Sequence, residues 1–531
     1  MREIWAADSE TDPFLHGRLP KPFIWGAYQL ERDEYEEFET FGQMLEFLES
    51  KETEIIVYAH NGGKFDWHFG LDYLENYSDI LVINGRIAKF KIGRVEFRDS
   101  FSILPVPLAD MAKDEFDYRM LEEDVRHKYM DKIRAYLKSD CVYLAQHVNA
   151  FIEQYGLHLT LASAALASWR KISKYHSPKS TEAFYEEIEP FYCGGRVECN
   201  HVGEVRTPFV AIDINSAYPF AMMNKHPWGH SYELSEELPE TDDEIERCFI
   251  ELDAQSLGAF PFREANRSIN FPNDGIVRNF HITGWEYIAA RDAGILGGSV
   301  IRSVYRFHQS ITFKAYVDHF YELKKSSKNG SPEYLFAKLM LNSLYGKFGA
   351  NPNKYEENII VDMASIGGAE KDGYEFSGDI GPWALMGRPV PEHKRNFLNV
   401  AVAASITGFV RAYMWKTMRQ CENVYYCDTD SIIAKAVNGV ELDGTKLGAW
   451  DLEAECVYGA FAGKKLYAIK TGSDDPKKKW KTASKGVRLS HEELIRVARG
   501  ETIKYERDAP TYSIHKPPRF TTRRIRRKTV N

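Results

Sequence analysis

The chain has 531 residues, 44% apolar and 27% charged, which is enough for several cores and reads as globular. No stretch approaches the roughly 18 apolar residues of a membrane span, Met1–Trp5 runs straight into a strand-like segment with no signal peptide expected, and seven scattered cysteines give no disulfide framework, so a protein of the reducing cytoplasm without a membrane partner is expected. The net charge of −9 does not exclude nucleic acid, because the charge is unevenly spread: Ser231–Glu246 holds eight acidic residues and no basic one, and Lys516–Asn531 holds seven basic residues and no acidic one. The basic end reads either as a solvated tail or as a surface that tracks phosphates.

Residues 1 to about 155 alternate apolar strand runs with helical patterns, which suggests an α/β unit. Ile4-Trp5-Ala6-Ala7 is a strand run ending in Asp8-Ser9-Glu10, and positions i and i+2 of a strand point the same way. Ile55–Ala59 reads as a second buried strand. The glycines of Asn61-Gly62-Gly63-Lys64-Phe65-Asp66 let the chain turn tightly and leave Asp66 near that strand's end. A helix around Lys132–Asn149 places Tyr136 and Asp140, at i and i+4, on one face. Each piece is common alone. Four carboxylates in one place repel unless cations neutralise them. All-oxygen ligands suit Mg2+, with Mn2+ as the alternative, and two such ions promote phosphodiester hydrolysis by activating water and stabilising the leaving 3′ oxygen.

A linker-like segment follows at Lys174–Ser180, and the middle of the chain mixes strands and helices. Phe209–Asp213 is a buried-strand pattern ending in an aspartate. The turn Asn215–Pro219 carries helix-start residues whose N–H groups could hold a triphosphate. Lys338, Asn342 and Tyr345 at i, i+4 and i+7 share a helix face, with Gly346 and Gly349 as stop residues. A cation, an amide and a ring on one face suit a nucleotide, although an ordinary amphipathic helix has the same spacing. A Gly-rich stretch spans Asn351–Pro391. Val424–Ile433 then reads as strand, tight turn, strand, with Asp428 and Asp430 straddling the tip, so that Asp213 and Asp430 could hold two metals between them. The last part is basic, with Lys477–Lys481 and the tail.

Asp213-x-x-Ser216-x-Tyr218-Pro219, Lys338-x-x-x-Asn342-Ser343-x-Tyr345-Gly346 and Tyr426-x-Asp428-Thr429-Asp430-Ser431 resemble the three polymerase motifs of the B-family DNA polymerases. Asp8/Glu10, Asn61–Asp66 and Tyr136/Asp140 resemble that family's three exonuclease motifs, in the same order. Tyr192-Cys193-Gly194-Gly195-Arg196 is similar to the family's Tyr-x-Gly-Gly motif, Lys465-Leu466-Tyr467 to its Lys-x-Tyr motif, and Asp99–Phe116 to a stretch of the protein-primed bacteriophage and linear-plasmid type. The resemblance implies an α/β and α+β multidomain fold: an RNase-H-like 3′→5′ exonuclease domain, then a hand of palm, fingers and thumb. It implies two metals per active site, on Asp213 and Asp430 with Asp428 assisting, and on Asp8, Glu10, Asp66 and Asp140 with Tyr136 beside them. Tyr218 would be the sugar gate, Asn342 and Tyr345 would contact the incoming nucleotide, and Lys338 and Lys325 its phosphates. Tyr192, Gly194, Gly195, Thr407, Arg411, Lys465 and Tyr467, with Asn61 and Phe65 in the exonuclease, would touch DNA. Two departures stand out. An extra glycine puts Asn61 five positions before Asp66, and the family's exonuclease lysine has no placed counterpart in this chain, with Arg119 no more than a guess.

The implied domains are 1–160 exonuclease, 161–224 linker and start of palm, 225–312 an insertion that meets a priming protein, 313–350 fingers, 351–393 an insertion for strand displacement and processivity, 394–484 palm, and 485–531 thumb and basic tail. The implied function is proofreading DNA synthesis from dNTPs on a DNA template and primer. A monomer in the host cytoplasm would copy a linear viral or plasmid genome and start it on a terminal protein. The nearer alternative is a B-family enzyme of a mobile element that uses a nucleic-acid primer or none. A nuclease whose second half only binds DNA, or a non-catalytic DNA-binding subunit, is opposed by the completeness of both carboxylate sets.

Overall fold

The computed structural model describes residues 2–107, 116–175, 180–513 and 516–528. Parts of the stretch Asp99–Phe116, of the linker Lys174–Ser180 and of the tail lie outside these residues. The strand Glu3–Thr11 is parallel to Ile55–Ala59 and antiparallel to Pro22–Gln29. Alternation sends Trp5 and Ala7 into one apolar cluster and Ala6 into another, so both faces of this strand are covered. The helix Met130–Tyr155, longer than its sequence pattern suggested, lies on one face. It comes close because residue 26 is glycine: a Cβ there would meet Leu137 Cγ at 3.0 Å and Cys141 Sγ at 3.2 Å.

This sheet has ten strands, and three of them come from the Gly-rich stretch. Glu356–Val361 pairs antiparallel with Ser78–Ile83, and Trp383–Pro389 and Glu375–Ile380 follow outward. The insertion at 351–393 is therefore a continuation of the N-terminal sheet. Ile360, Ile380 and Leu385 share a core with Trp67, Leu71 and Ile80. Trp383 Nε1 donates to the Leu71 carbonyl at 2.7 Å, and the Asn76 amide donates to Asp362 and Ser365 at 3.0 and 2.9 Å.

The second sheet has the long strand Trp450–Gly463 near its middle, flanked by Phe209–Ile214 and Leu466–Thr471. Behind it runs Val400–Met418, a helix buried on nearly all sides. Lys314–Ser326 packs with Pro332–Phe348, which starts on a Ser331 cap and Pro332. Residues 225–312 form their own four-stranded sheet with the helix Gly284–Asp292. Their acidic stretch is partly neutralised, with Asp243 on Lys225 and Arg247 and Asp242 on Arg291. The basic end is built into strands: Lys516–Arg519 pairs with Thr511–Ser513, and Thr522–Ile525 with Ile503–Glu506, while its cationic side chains stay exposed. Among the described residues no helix is long and apolar enough to cross a membrane.

The shared core has a measurable consequence. Leu385 is fully buried where the insertion joins the N-terminal sheet. Leu385→Ala is expected to lower the stability of that sheet by about 2–5 kcal/mol in chemical denaturation followed by tryptophan fluorescence. An unchanged midpoint would mean that the junction contributes nothing.

Candidate active sites

The first carboxylate set gathers at one end of the N-terminal sheet. Oxygens of Asp8, Glu10 and Asp140 lie within 4.8 Å of one another, a donor set of carboxylates alone that suits a hard divalent cation. Asp66 is not in this group. It accepts from Ser9 Oγ at 2.6 Å, and Ser9 points to the opposite side of the strand from Asp8 and Glu10. Burial pushes the Asp66 carboxyl up to about 6. The structure thus brings together three of the four expected carboxylates and holds the fourth behind the strand.

Tyr136 stacks on Phe116 at 4.2 Å and its hydroxyl lies 3.2 Å from that of Tyr118. Burial raises its pKa first, and the hydroxyl of Tyr118 and the charges of Asp140 and Glu10 add to the shift, so it stays a neutral phenol able to donate. Asn61 adopts the left-handed conformation (φ 63°) and accepts from Arg86 at 2.9 Å, while Arg86 also holds Asp99 at 2.5 Å. The extra glycine in this turn is required by packing, because a Cβ on Gly63 would lie 1.9 Å from the Ile87 carbonyl oxygen. Phe65 meets Phe14, Phe69 and Tyr512 edge-on. Arg119 is 89% exposed and engages Asp117.

In the second set, Asp213 sits opposite Ser431 on one side and Asp451 on the other. Thr429 takes the left-handed conformation (φ 62°) at the hairpin tip, the Asp430 N–H reaches the Asp428 carbonyl at 2.6 Å, and the Ile214 N–H reaches the Asp430 carbonyl at 2.8 Å. These bonds lock Asp430 beside Asp213. Burial, then Asp430 and Glu453, push Asp213 up to about 7, and burial also brings Asp430 to about 6. Crowded acids raised in this way are what a cation would relieve. Asp428 is already engaged, by Lys465 Nζ at 2.7 and 2.5 Å and by the Tyr426 hydroxyl at 3.1 Å. Tyr467 is buried against Tyr426 at 4.8 Å.

Tyr218 stacks on Tyr345 with centroids 4.1 Å apart and rings 15° from parallel. Asn342 bonds back to the Lys338 carbonyl at 3.0 Å, on the exposed face of its helix. Lys325 is exposed too, but its neighbour Lys324 is the one that turns inward. Lys324 reaches Ser216 Oγ at 3.4 Å, and burial, with Lys338 adding, lowers its pKa. The sequence reading missed Lys324, although it lies four and seven residues after the buried Phe320 and Val317, which is the face that packs.

The strip from Tyr192 to Arg196 is pressed against these groups. A Cβ on Gly195 would lie 2.8 Å from Thr429 Cγ2 and 3.1 Å from the Tyr218 hydroxyl, and one on Gly349 would lie 2.4 Å from the Tyr192 ring. The Thr429 N–H donates to the Arg196 carbonyl at 2.6 Å. Arg411 and Thr407, expected on DNA, are 1% and 2% exposed instead, because both lie on the buried helix. Arg411 donates to Glu286 at 2.8 Å, to the Gly194 carbonyl at 3.1 Å and to the Cys193 carbonyl. Thr407 bonds to the Ala404 carbonyl at 3.1 Å. Glu286, which the sequence gave no reason to single out, also accepts from the Thr283 N–H and hydroxyl, both at 2.9 Å.

Comparison with known proteins bears on the chain as a whole. The profile of the family described as DNA polymerase type B, organellar and viral, matches residues 48–120 and 115–379. The DNA-directed DNA polymerase of Enterobacteria phage PRD1 is 36% identical, covering 99% of this chain and 98% of its own. The DNA polymerase of Bacillus phage phi29 is 24% identical over 88% of this chain and 86% of its own. The solved structure of Phi29 DNA polymerase complexed with primer-template DNA and incoming nucleotide substrates superposes with a TM-score of 0.75 at 18% identity, covering 99% of this chain and 100% of that one.

The raised carboxyls of Asp213 and Asp430, at about 7 and about 6, must lose their protons when a divalent cation binds. The half-saturating Mg2+ concentration should therefore rise as the pH falls from about 8 to about 6, and binding near neutral pH should release protons. Calorimetry in two buffers of different ionisation enthalpy measures both, and Asp213→Asn should reduce the release.

Proposed function

Because the chain belongs to the organellar and viral type-B DNA polymerases, and is a DNA-directed DNA polymerase with the palm, fingers and thumb of that fold, we propose that its two carboxylate sets run opposite reactions on one DNA strand. Asp213 and Asp430, with Asp428 beside them, form the synthetic site. Asp8, Glu10 and Asp140, backed by Asp66, form a 3′→5′ exonuclease site. The observation that carries this reading is the presence of two separate acidic clusters at the ends of two buried sheets. Bound divalent cations would supply Lewis-acid activation of the attacking oxygen and stabilisation of the leaving one, two ions per site with Mg2+ favoured.

The chain's own side chains do the remaining work. Lys324 and Lys338, on the two helices over the Asp213 strand, supply charge for a dNTP triphosphate. The stacked Tyr218 and Tyr345 close the space where a ribose 2′-hydroxyl would go, which favours DNA precursors. Lys465 holds Asp428 and reaches along the path expected of the primer strand. On the hydrolytic side, the neutral Tyr136 hydroxyl donates toward the scissile phosphate region. Asp213→Ala or Asp430→Ala should abolish primer extension and leave degradation of single strands, and Asp8→Ala with Glu10→Ala should do the reverse. Loss of both activities in a folded single-site variant would refute the partition.

The chain is similar to the protein-primed bacteriophage type, and residues 225–312 form a folded unit of their own. Both support initiation on a terminal protein, whose hydroxyl would attack the first dNTP, by a monomer working in the host cytoplasm. Residues 351–393 would serve strand displacement and processivity. Their strands belong to the exonuclease sheet, so substitutions on their exposed edge test this role better than deletion does. With a candidate partner, a linear template and one labelled dNTP, a covalent nucleotide–protein adduct lost in Asp430→Ala is expected. Efficient extension of plain primers with no adduct would favour the nucleic-acid-primed alternative.

A further inference from the structure

Between the strands Glu3–Thr11 and Pro22–Gln29, residues 12–21 form a loop that none of the proposed chemistry uses. It is fixed along its length. Arg126 holds Asp12 at 3.1 Å, Arg18 bonds to the Pro13 carbonyl at 2.7 Å and to Glu122 at 2.9 Å, and His16 Nδ1 lies 3.0 Å from the Arg507 carbonyl with its ring against Phe520. Within this braced loop Phe14 is 47% exposed, so its exposure is not the fraying of a loose segment.

The ring also lies against the turn that carries Asp66. Phe14 meets Phe65 in a T-shaped contact at 5.4 Å while nearly half of its surface stays exposed. Phe65 precedes Asp66, which is bonded to Ser9 between Asp8 and Glu10. Tyr512, from the C-terminal part of the chain, also meets Phe65 edge-on, at 5.6 Å. Cations adjoin the same place: Lys64 precedes Phe65, and Arg507 has its carbonyl 3.0 Å from His16 Nδ1 of the loop. Aromatic faces with adjacent cations suit a single-stranded nucleic acid, with bases stacking and phosphates paired.

We propose that this loop is a stacking subsite for an unpaired nucleotide on the strand whose 3′ end approaches Asp8, Glu10 and Asp140, with Phe14 as the platform and Lys64 and Arg507 at the phosphates. The subsite rests on the exonuclease reading and names what delivers its substrate. It belongs to the braced loop, and the metal-binding side chains take no part in it.

The test uses the full chain and an oligothymidylate ending in 2-aminopurine. In EDTA, where nothing is hydrolysed, binding should quench the terminal fluorophore. Phe14→Ala should relieve the quench and weaken binding about five- to tenfold, the low end of one base stack, and Phe14→Trp should restore both. With Mg2+, Phe14→Ala should raise KM for degradation by a similar factor with kcat within about twofold. Unchanged binding and quench in Phe14→Ala, failure of Phe14→Trp to rescue, or a change in kcat alone would each overturn the subsite. If the wild type shows a Phe14-dependent quench but degrades nothing, the exonuclease reading falls and the subsite stands.

Discussion

A guanidinium buried among apolar side chains has to be paired and hydrogen-bonded, and Arg411 meets most of that demand through Nε and Nη1, with Glu286 and with the carbonyls of Cys193 and Gly194, while Nη2 has no hydrogen bond among the described residues. Removing one member of such a pair leaves an uncompensated charge, at a cost of about 3–5 kcal/mol. Three separate parts of the chain meet at this ion: the helix Gly284–Asp292 of the first insertion, the buried helix Val400–Met418, and the strip at Tyr192–Arg196. The strip touches Thr429 through Gly195 and accepts the Thr429 N–H on Arg196, so the position of the Asp428-Thr429-Asp430 turn is set partly by a segment far from it in sequence. Any partner that engages residues 225–312 therefore acts on a unit linked through that strip to the Asp428-Thr429-Asp430 turn.

The two carboxylate sets handle like-charge repulsion differently. In the first, oxygens of three acids converge within 4.8 Å of one another, while Asp66 is held back by Ser9 and raised by burial. In the second, Lys465 already neutralises Asp428, and the strain of crowding falls on Asp213 and Asp430. Lys465 lies in a left-handed turn (φ 55°) and also donates its backbone N–H to Tyr426 at 3.0 Å. A lysine fixed at both ends in this way links the hairpin beside the expected primer strand to the acidic turn. The sites are also joined through the periphery, because the second insertion continues the exonuclease sheet and the thumb packs Tyr512 on Phe65, His68 and Phe69.

What the sequence determined by itself was local. The alternation of a strand placed Asp8 and Glu10 on one side of it, i/i+4 spacing put Tyr136 and Asp140 on one helix face, and the Asp428-Thr429-Asp430 turn formed at its hairpin tip, since each of these depends only on neighbours within a turn or a strand. The family and its six motifs could be read for the same reason. Tertiary structure decided whatever depends on what packs against what. It turned Lys324 rather than Lys325 inward because Val317 and Phe320 fix the phase of their helix, and it buried Thr407 and Arg411 because Val400–Met418 is enclosed on nearly all sides. It drew Asp66 behind the strand to Ser9, paired Arg411 with a glutamate 125 residues away, and joined Glu356–Val361 to Ser78–Ile83 across nearly 300 residues. A sheet edge accepts any strand of matching pattern, and a buried ion accepts any partner of opposite charge. Sequence spacing carries no record of which one arrives, so the choice is made only when the chain folds.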